Sequence, residues 1–277
     1  LISLRYLIPG IPLTMKSHKI IEFPRTRLAT FDIGAIGKEK HYVTALLELN
    51  VGEARKKIKE KRKESGARMS FTGWLLKIIA QTVQEHKEVA AFRRGRRKLM
   101  IFADVDISII VEREVNGTKV PLPLLIRKAN EKTAEEITAE IESAKTGKIT
   151  GEQMVLERGM SVAERIYYFL PGAIRRLAWR LMLKHPHFVF RKMGNVVVTA
   201  VGMMGQVNGW FVQTSVHPLS FGIGSITKKP VASGEEIAIG EILHMTILID
   251  HNAVDGAPMA RFIADLSERI ESGNNTP

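Results

Sequence analysis

Val43, Ala45, Leu47, Leu49 and Val51 recur at every second position, the spacing that lines one face of a strand, and they predict a half-buried strand over residues 42–51. Met245, Ile247 and Ile249 repeat the pattern near the C-terminus, in a strand that ends in Asp250-His251. Further strands are predicted over residues 99–102, 105–111, 196–201 and 220–226, with Asn116-Gly117 as a strong turn dipeptide. Other segments switch to helical spacing. Phe71, Trp74, Leu75, Ile78 and Thr82 form a stripe behind Ser70, a residue suited to cap a helix. Thr133-Ala134-Glu135-Glu136 is a capping box opening a helix that carries Ile137 and Ile141 and closes at Gly147. Met259, Phe262, Ile263, Leu266 and Ile270 form a third stripe, with Asp255 at the N-cap position. A highly charged helix is predicted over residues 53–64, its lysines and arginines reading as a solvated face. Strands alternating with long amphipathic helices predict an α/β sandwich: a mixed sheet with helices packed on one side.

Composition narrows the chemistry. The 277 residues suit one large domain or two small ones. There is no cysteine, which excludes disulfides, thiolate nucleophiles and zinc–thiolate sites. A net charge of +12 favours anionic partners: nucleic acid, acidic lipid headgroups, or a polyphosphate such as coenzyme A. An aromatic content of 6% and the lack of a recognised nucleic-acid motif count against the first of these. The opening run, residues 1–13, is broken by Arg5, Pro9 and Pro12 and is too short to span a bilayer. It lacks a clear cleavage site for a signal peptide, so a cytoplasmic protein is expected, with Met15 a plausible native start.

The chemistry concentrates at the end of the last strand. His251 sits at its tip, and a tight turn returns Asp255-Gly256 beside it, a base on a rigid element with a carboxylate close by. The run Ile247-Leu248-Ile249-Asp250-His251-x-x-x-Asp255-Gly256-Ala257, followed by Ala260-Arg261-Phe262, resembles the signature of the catalytic domain of 2-oxo acid dehydrogenase acyltransferases. Chloramphenicol acetyltransferase shares its His-x-x-x-Asp-Gly core. The resemblance runs in order along the chain. Pro24-Arg25-Thr26-Arg27-Leu28-Ala29 is similar to the family's Arg-Lys-x-Ile-Ala segment, and residues 42–51 to its first long strand. Residues 70–77 are similar to the start of a family helix, residues 120–127 to its Val-Val-Pro-Val-Ile-Arg strand, and residues 133–141 to the helix that follows. Residues 198–205, Val-Thr-Ala-Val-Gly-Met-Met-Gly, are similar to its Ile-Ser-Asn-Leu-Gly-Met-Phe-Gly.

The resemblance implies a two-layer, chloramphenicol acetyltransferase-like fold and acyl transfer between coenzyme A and a thiol such as dihydrolipoamide, with coenzyme A as a substrate and no metal. It implies that His251 is the general base and that Thr199, at the family's serine position, aims a hydroxyl at the developing oxyanion. Asp255 is implied as an organiser paired with an arginine, for which Arg25 is the nearest match, with Arg27 two residues on. Asp250 and Gly256 are implied as supporting residues. Ala200 stands where the family has asparagine, so that amide's contacts are not expected. The residues that would hold coenzyme A are not identifiable from the sequence. The family builds its site between subunits of a trimer, so a homotrimer or a multiple of three is expected. Since the family's lipoyl module is absent from these residues, a separate lipoyl-bearing protein is an expected partner. A second reading is a non-catalytic, trimer-based scaffold that keeps the fold.

The expected organisation is an extension over residues 1–19, the acyltransferase domain over residues 20–273 and a tail over residues 274–277. Within the domain, residues 161–193 are read as an insertion. Ile166, Tyr167, Phe169, Ile174, Leu177 and Leu181 alternate there with Arg165, Arg175, Arg176, Arg180 and Lys184. Pro171-Gly172 is expected to divide it into two helical pieces. Its apolar residues are expected to be buried on a subunit seam or over the substrate channel, with the arginines facing water or anions. Contact with an anionic membrane is the less favoured alternative. His185-Pro186-His187 lacks the further acidic ligands a metal site needs.

Overall fold

A computed structural model describes residues 21–23, 25, 27–66, 68–115, 118–147, 162–202, 205 and 207–273. Residues 1–19, the tail 274–277, Pro24, Thr26, Asn116-Gly117, Ser161 and Met203-Met204 lie outside the described residues, as do the expectations placed on them.

The long strands are β1 (Tyr42–Asn50), β4 (Ile107–Val115), β5 (Thr118–Ile126), β6 (Val196–Ala200), β7 (Leu219–Ser233) and β8 (Glu236–Asp250). They form one sheet in the order β1-β8-β7-β6-β4-β5. The β7/β6 and β6/β4 pairs are parallel and the others antiparallel, so the sheet is mixed. β7 and β8 extend well beyond the alternating segments because they continue outward as a hairpin in which Ile237 and Ile239 are exposed. The basic turn Arg93–Lys98 joins β2 (Phe92–Arg94) and β3 (Lys98–Met100) in a separate small hairpin.

Alternate residues of the long strands enter a single core, among them Ala45, Leu47 and Leu49 of β1, Met245, Ile247 and Ile249 of β8, Phe221 of β7 and Val198 of β6, whereas Val43 is exposed. Against that face lie the stripes of α3 (Phe71–Glu85), α4 (Ala134–Thr146) and α8 (Gly256–Ser272). This is the expected two-layer sandwich, produced by period-two and period-3.6 patterns buried against each other. Each fully buried large side chain, Phe221, Ile247 or Phe262 among them, contributes about 1.5–3 kcal/mol.

Local chemistry sets the helix ends as expected. The Ser70 hydroxyl accepts from the Gly73 N–H, Thr133 and Glu136 complete the capping box, and Gly147 closes α4 at φ 79°. Asp255 occupies the N-cap position of α8, but its side chain makes no capping hydrogen bond. Among its described residues the charged helix α2 (Gly52–Ser65) buries only Ala54 and Ile58.

The opposite face of β7 and β8 is also covered. His244, Thr246 and Leu248 are buried there because the segment between β6 and β7 lies across them. Trp210 Nε1 donates to the Leu47 carbonyl, its ring meets His244 edge-on at 4.9 Å, and Gln213 Nε2 donates to Ser220 Oγ. Gly222 permits this approach: a Cβ there would stand 2.4 Å from Gln213 Oε1.

Residues 162–193 form three helices rather than two: α5 (Val162–Phe169), α6 (Gly172–Leu183) and α7 (Pro186–Met193). Pro171 makes the first break as expected, and Pro186, at the first position of α7, makes the second. The segment packs on α1 (Arg27–Gly37). Arg175 is buried rather than solvent-facing: its Nε lies 2.6 Å from Asp32 Oδ2, which also accepts from Tyr167 Oη at 2.7 Å. Trp179 Nε1 donates to the Tyr167 hydroxyl at 2.9 Å. With that polar cluster turned inward, Phe169, Leu177 and Leu181 face outward and are exposed on the single chain.

Candidate active site

The tip of β8 is held by contacts from the residues that precede β1. Antiparallel pairing puts Tyr42 opposite Asp250, which brings Lys40 and His41 beside the 250–252 turn. Lys40 Nζ meets Asp250 Oδ2 at 2.7 Å, and the His251 N–H donates to the His41 carbonyl. Asp250 Oδ1 accepts from both the backbone N–H and the side-chain amide of Asn252. Asp250 is therefore buried but fully engaged, as the pin of the turn. The amide of Asn252 also contacts His41 Nδ1. Burial, followed by the Asp250 carboxylate, pushes the Tyr42 phenol up, so it stays a neutral donor to the His217 carbonyl.

The His251 side chain is exposed at this tip and has no hydrogen-bond partner among the described residues, and Gly256 opens α8 beside it. Asp255 is exposed too and forms no ion pair among the described residues. Arg25 does not reach it: its guanidinium lies 4.7 Å over the Phe169 ring, while Arg27 lies near Phe23 and Phe31.

Thr199 is elsewhere on the sheet. Its register partners are Gly222 of β7 and, through it, Thr246 of β8. That row lies on the face opposite the core residues Val198, Phe221 and Ile247. The Thr199 hydroxyl is half-buried and has no partner among the described residues. From Thr246 to His251 is five residues along a strand, and from β6 to β8 is two strand spacings. At ~3.3 Å per residue and ~4.8 Å per strand, the two residues are about 19 Å apart. One chain does not bring its own His251 and Thr199 together.

The insertion ends beside the tip of β8. His217 Nε2 donates to the carbonyl of Met193, the last residue of α7, and Ser215 Oγ lies 3.3 Å from Nδ1. This imidazole is buried, and desolvation pushes its pKa down to about 4. The unfolded chain takes up a proton near 6.5, whereas the folded chain does so only near 4. Folding stability is thus level above about pH 6.5 and falls as the pH drops toward 4, by on the order of 3 kcal/mol. Denaturant midpoints measured across this window should fall more steeply for the wild type than for His217→Gln; parallel curves would contradict the assignment.

Sequence reading alone missed Lys40 and His41. Their signal was indirect, since it needed the pairing of two strands some 200 positions apart.

A mixed sheet backed by helices on one face, with a histidine at the tip of a central strand, defines a two-layer acyltransferase-type domain. The chain belongs to the 2-oxoacid dehydrogenases acyltransferase (catalytic domain) family, which it matches over residues 39–155 and 191–276. The gap between those ranges falls on the insertion. A relative, the dihydrolipoyllysine-residue acetyltransferase component of the pyruvate dehydrogenase complex of Rickettsia bellii, is 24% identical over 213 residues, covering 76% of this chain and 41% of its own length. The chain thus spans about two fifths of the curated relatives it matches. Among solved structures, a probable dihydrolipoamide acetyltransferase from Listeria monocytogenes superposes with a TM-score of 0.67 at 19% identity, over 94% of this chain and 98% of that one. The dihydrolipoamide acetyltransferase of Azotobacter vinelandii, studied for the role of a serine, a histidine and an asparagine in its catalytic mechanism, gives 0.65 at 15% identity, over 96% of each chain.

Proposed function

We propose that the protein is a coenzyme-A-dependent acyltransferase that moves an acyl group between coenzyme A and a thiol such as dihydrolipoamide, at a site shared between subunits. The observation that carries this reading is the pair of unsatisfied groups: an exposed imidazole on a pinned strand tip and a free hydroxyl about 19 Å away in the same chain. Neither has structural work to do, and a neighbouring copy supplies the missing half. In the Azotobacter protein the serine precedes the histidine by 52 positions and the asparagine follows it by 4; Thr199, His251 and Asp255 keep those spacings.

In this mechanism the neutral His251 imidazole takes the proton of the attacking thiol, whose pKa is ordinarily about 8.5. The thiolate attacks the carbonyl carbon of the acyl thioester. The Thr199 hydroxyl of an adjacent copy donates to the oxygen as negative charge grows there. Collapse expels the second thiolate, which recovers the proton from His251. Asp255 lies one turn from the base and shapes the field around it; a separate lipoyl-bearing protein is the natural carrier of the acceptor thiol.

A screen of acyl-coenzyme A donors with free dihydrolipoamide tests the activity: thioester exchange supports it, and no turnover with any donor rejects it in favour of a scaffold. Thr199→Val should lower kcat by about a hundredfold with little change in KM, since one oxyanion donor contributes about 3 kcal/mol; wild-type turnover would remove the hydroxyl from the mechanism. Native mass spectrometry should show a trimer or a multiple of three, and a monomer or dimer alone would contradict the shared site.

A further inference from the structure

Each of the first two insertion helices has an inward side, fixed on α1 through Tyr167, Arg175 and Trp179. Opposite those residues, at helical spacing, stand Ile166 and Phe169 on α5 and Ile174, Leu177 and Leu181 on α6, each about half exposed or more, with Phe169 at 73%. The apolar surface continues to Phe23 and Phe31, 5.3 Å apart edge-on, with Arg25 over Phe169 and Arg27 near the other two rings. Beside the apolar stripe of α6 runs a second stripe of Arg176, Arg180 and Lys184. From position 162 to 193 there are seven lysines and arginines and one acid, Glu164, and two of the seven, Arg175 and Arg180, are paired with Asp32 and Glu39.

We infer that this outward face is a docking surface for an anionic phospholipid bilayer. The argument is charge and polarity together. In a trimer this face would meet a different surface of the next copy, but every copy carries a net charge of +12, which makes it a poor electrostatic match for a cationic stripe. An anionic bilayer offers phosphates at the level of the arginines and hydrocarbon at the level of the apolar side chains. Arginine and lysine stems reach upward from a surface-lying helix while their charges stay among headgroups. The mode is surface contact: no helix among the described residues is long and apolar enough to cross a membrane. The helical part of this surface falls in the gap of the family match, which stops at 155 and resumes at 191. It also places the His251 end of the sheet near the bilayer, since α7 ends against His217.

Flotation of the full chain with vesicles tests the inference. Vesicles of phosphatidylcholine and phosphatidylserine in about a two-to-one ratio should bind the protein at least about tenfold more tightly than phosphatidylcholine alone. The exposed triple variant Phe169→Ser, Leu177→Ser, Leu181→Ser should weaken that binding by about a hundredfold. Arg165→Gln, Arg176→Gln, Lys184→Gln should weaken it by a similar factor and flatten its salt dependence. Arg175 and Arg180 are left intact, because they are engaged by Asp32 and Glu39. Circular dichroism and melting temperature check that both variants stay folded. No preference for anionic vesicles would overturn the inference. So would anionic binding unaffected by the serine variant, which would assign it to charge elsewhere. A wild type that ignores vesicles while the serine variant dissociates its oligomer would make the face a seam between copies instead.

Discussion

Replacing His251 with alanine is expected to lower acyl transfer from acyl-coenzyme A to dihydrolipoamide at least about a hundredfold while leaving the fold and the assembly intact. General-base contributions run at about 10² to 10⁴, and among the described residues no other histidine stands free at this tip: the backbone of His251 is tied to His41, whose ring is engaged by Asn252. Structural cost should be small, because the side chain is exposed and makes no hydrogen bond among the described residues. Steady-state kinetics with native mass spectrometry read both halves of the expectation. Unchanged turnover in a folded variant would remove His251 from the mechanism. Mixing the subunits sharpens the test. Assemblies reconstituted from His251→Ala and Thr199→Val chains should regain activity, since some seams then combine an intact base with an intact hydroxyl.

The largest effect on stability is expected at Asp32→Ala. Asp32 is 2% exposed and holds both the Arg175 guanidinium and the Tyr167 hydroxyl. Removing it leaves Arg175 buried without a counter-charge, and breaking a buried pair from one side costs about 3–5 kcal/mol. The expected loss is about 3 kcal/mol, the lower end, because Arg175 Nη1 keeps its bond to the Leu170 carbonyl. The loss should be local as well as global. Amide exchange should quicken over α5 and α6 before it does in β6–β8, whose residues are shared by the central core. Wild-type stability in the variant would show that the insertion is held by something other than this cluster.

The two-layer fold was legible in the sequence because its signals are local and repeat. Alternation marked the faces of β1 and β8, helical spacing marked α3, α4 and α8, and Ser70, Thr133 and Gly147 marked helix ends through bonds to residues within a turn. The candidate base was legible for the same reason, since His251, Asp255 and Gly256 lie within six positions on one strand-turn-helix. What the sequence could not carry depends on pairings between distant positions. Lys40 meets Asp250 only because β1 pairs with β8, and Thr199 stands far from His251 only because β6 lies two strands away with its end pointing in the other direction. The insertion shows the limit most plainly. Its pattern of apolar and cationic residues fixed an amphipathic helix but not which side would turn inward. Apolar burial alone would have hidden Phe169, Leu177 and Leu181. A buried carboxylate on α1 drew Arg175, Tyr167 and Trp179 inward instead, because an unpaired charge at Asp32 would cost more than leaving a few apolar side chains in water. The sequence by itself determined the elements, their faces and the chemistry at the strand tip; tertiary packing decided which distant groups meet and which apolar surface is left facing out.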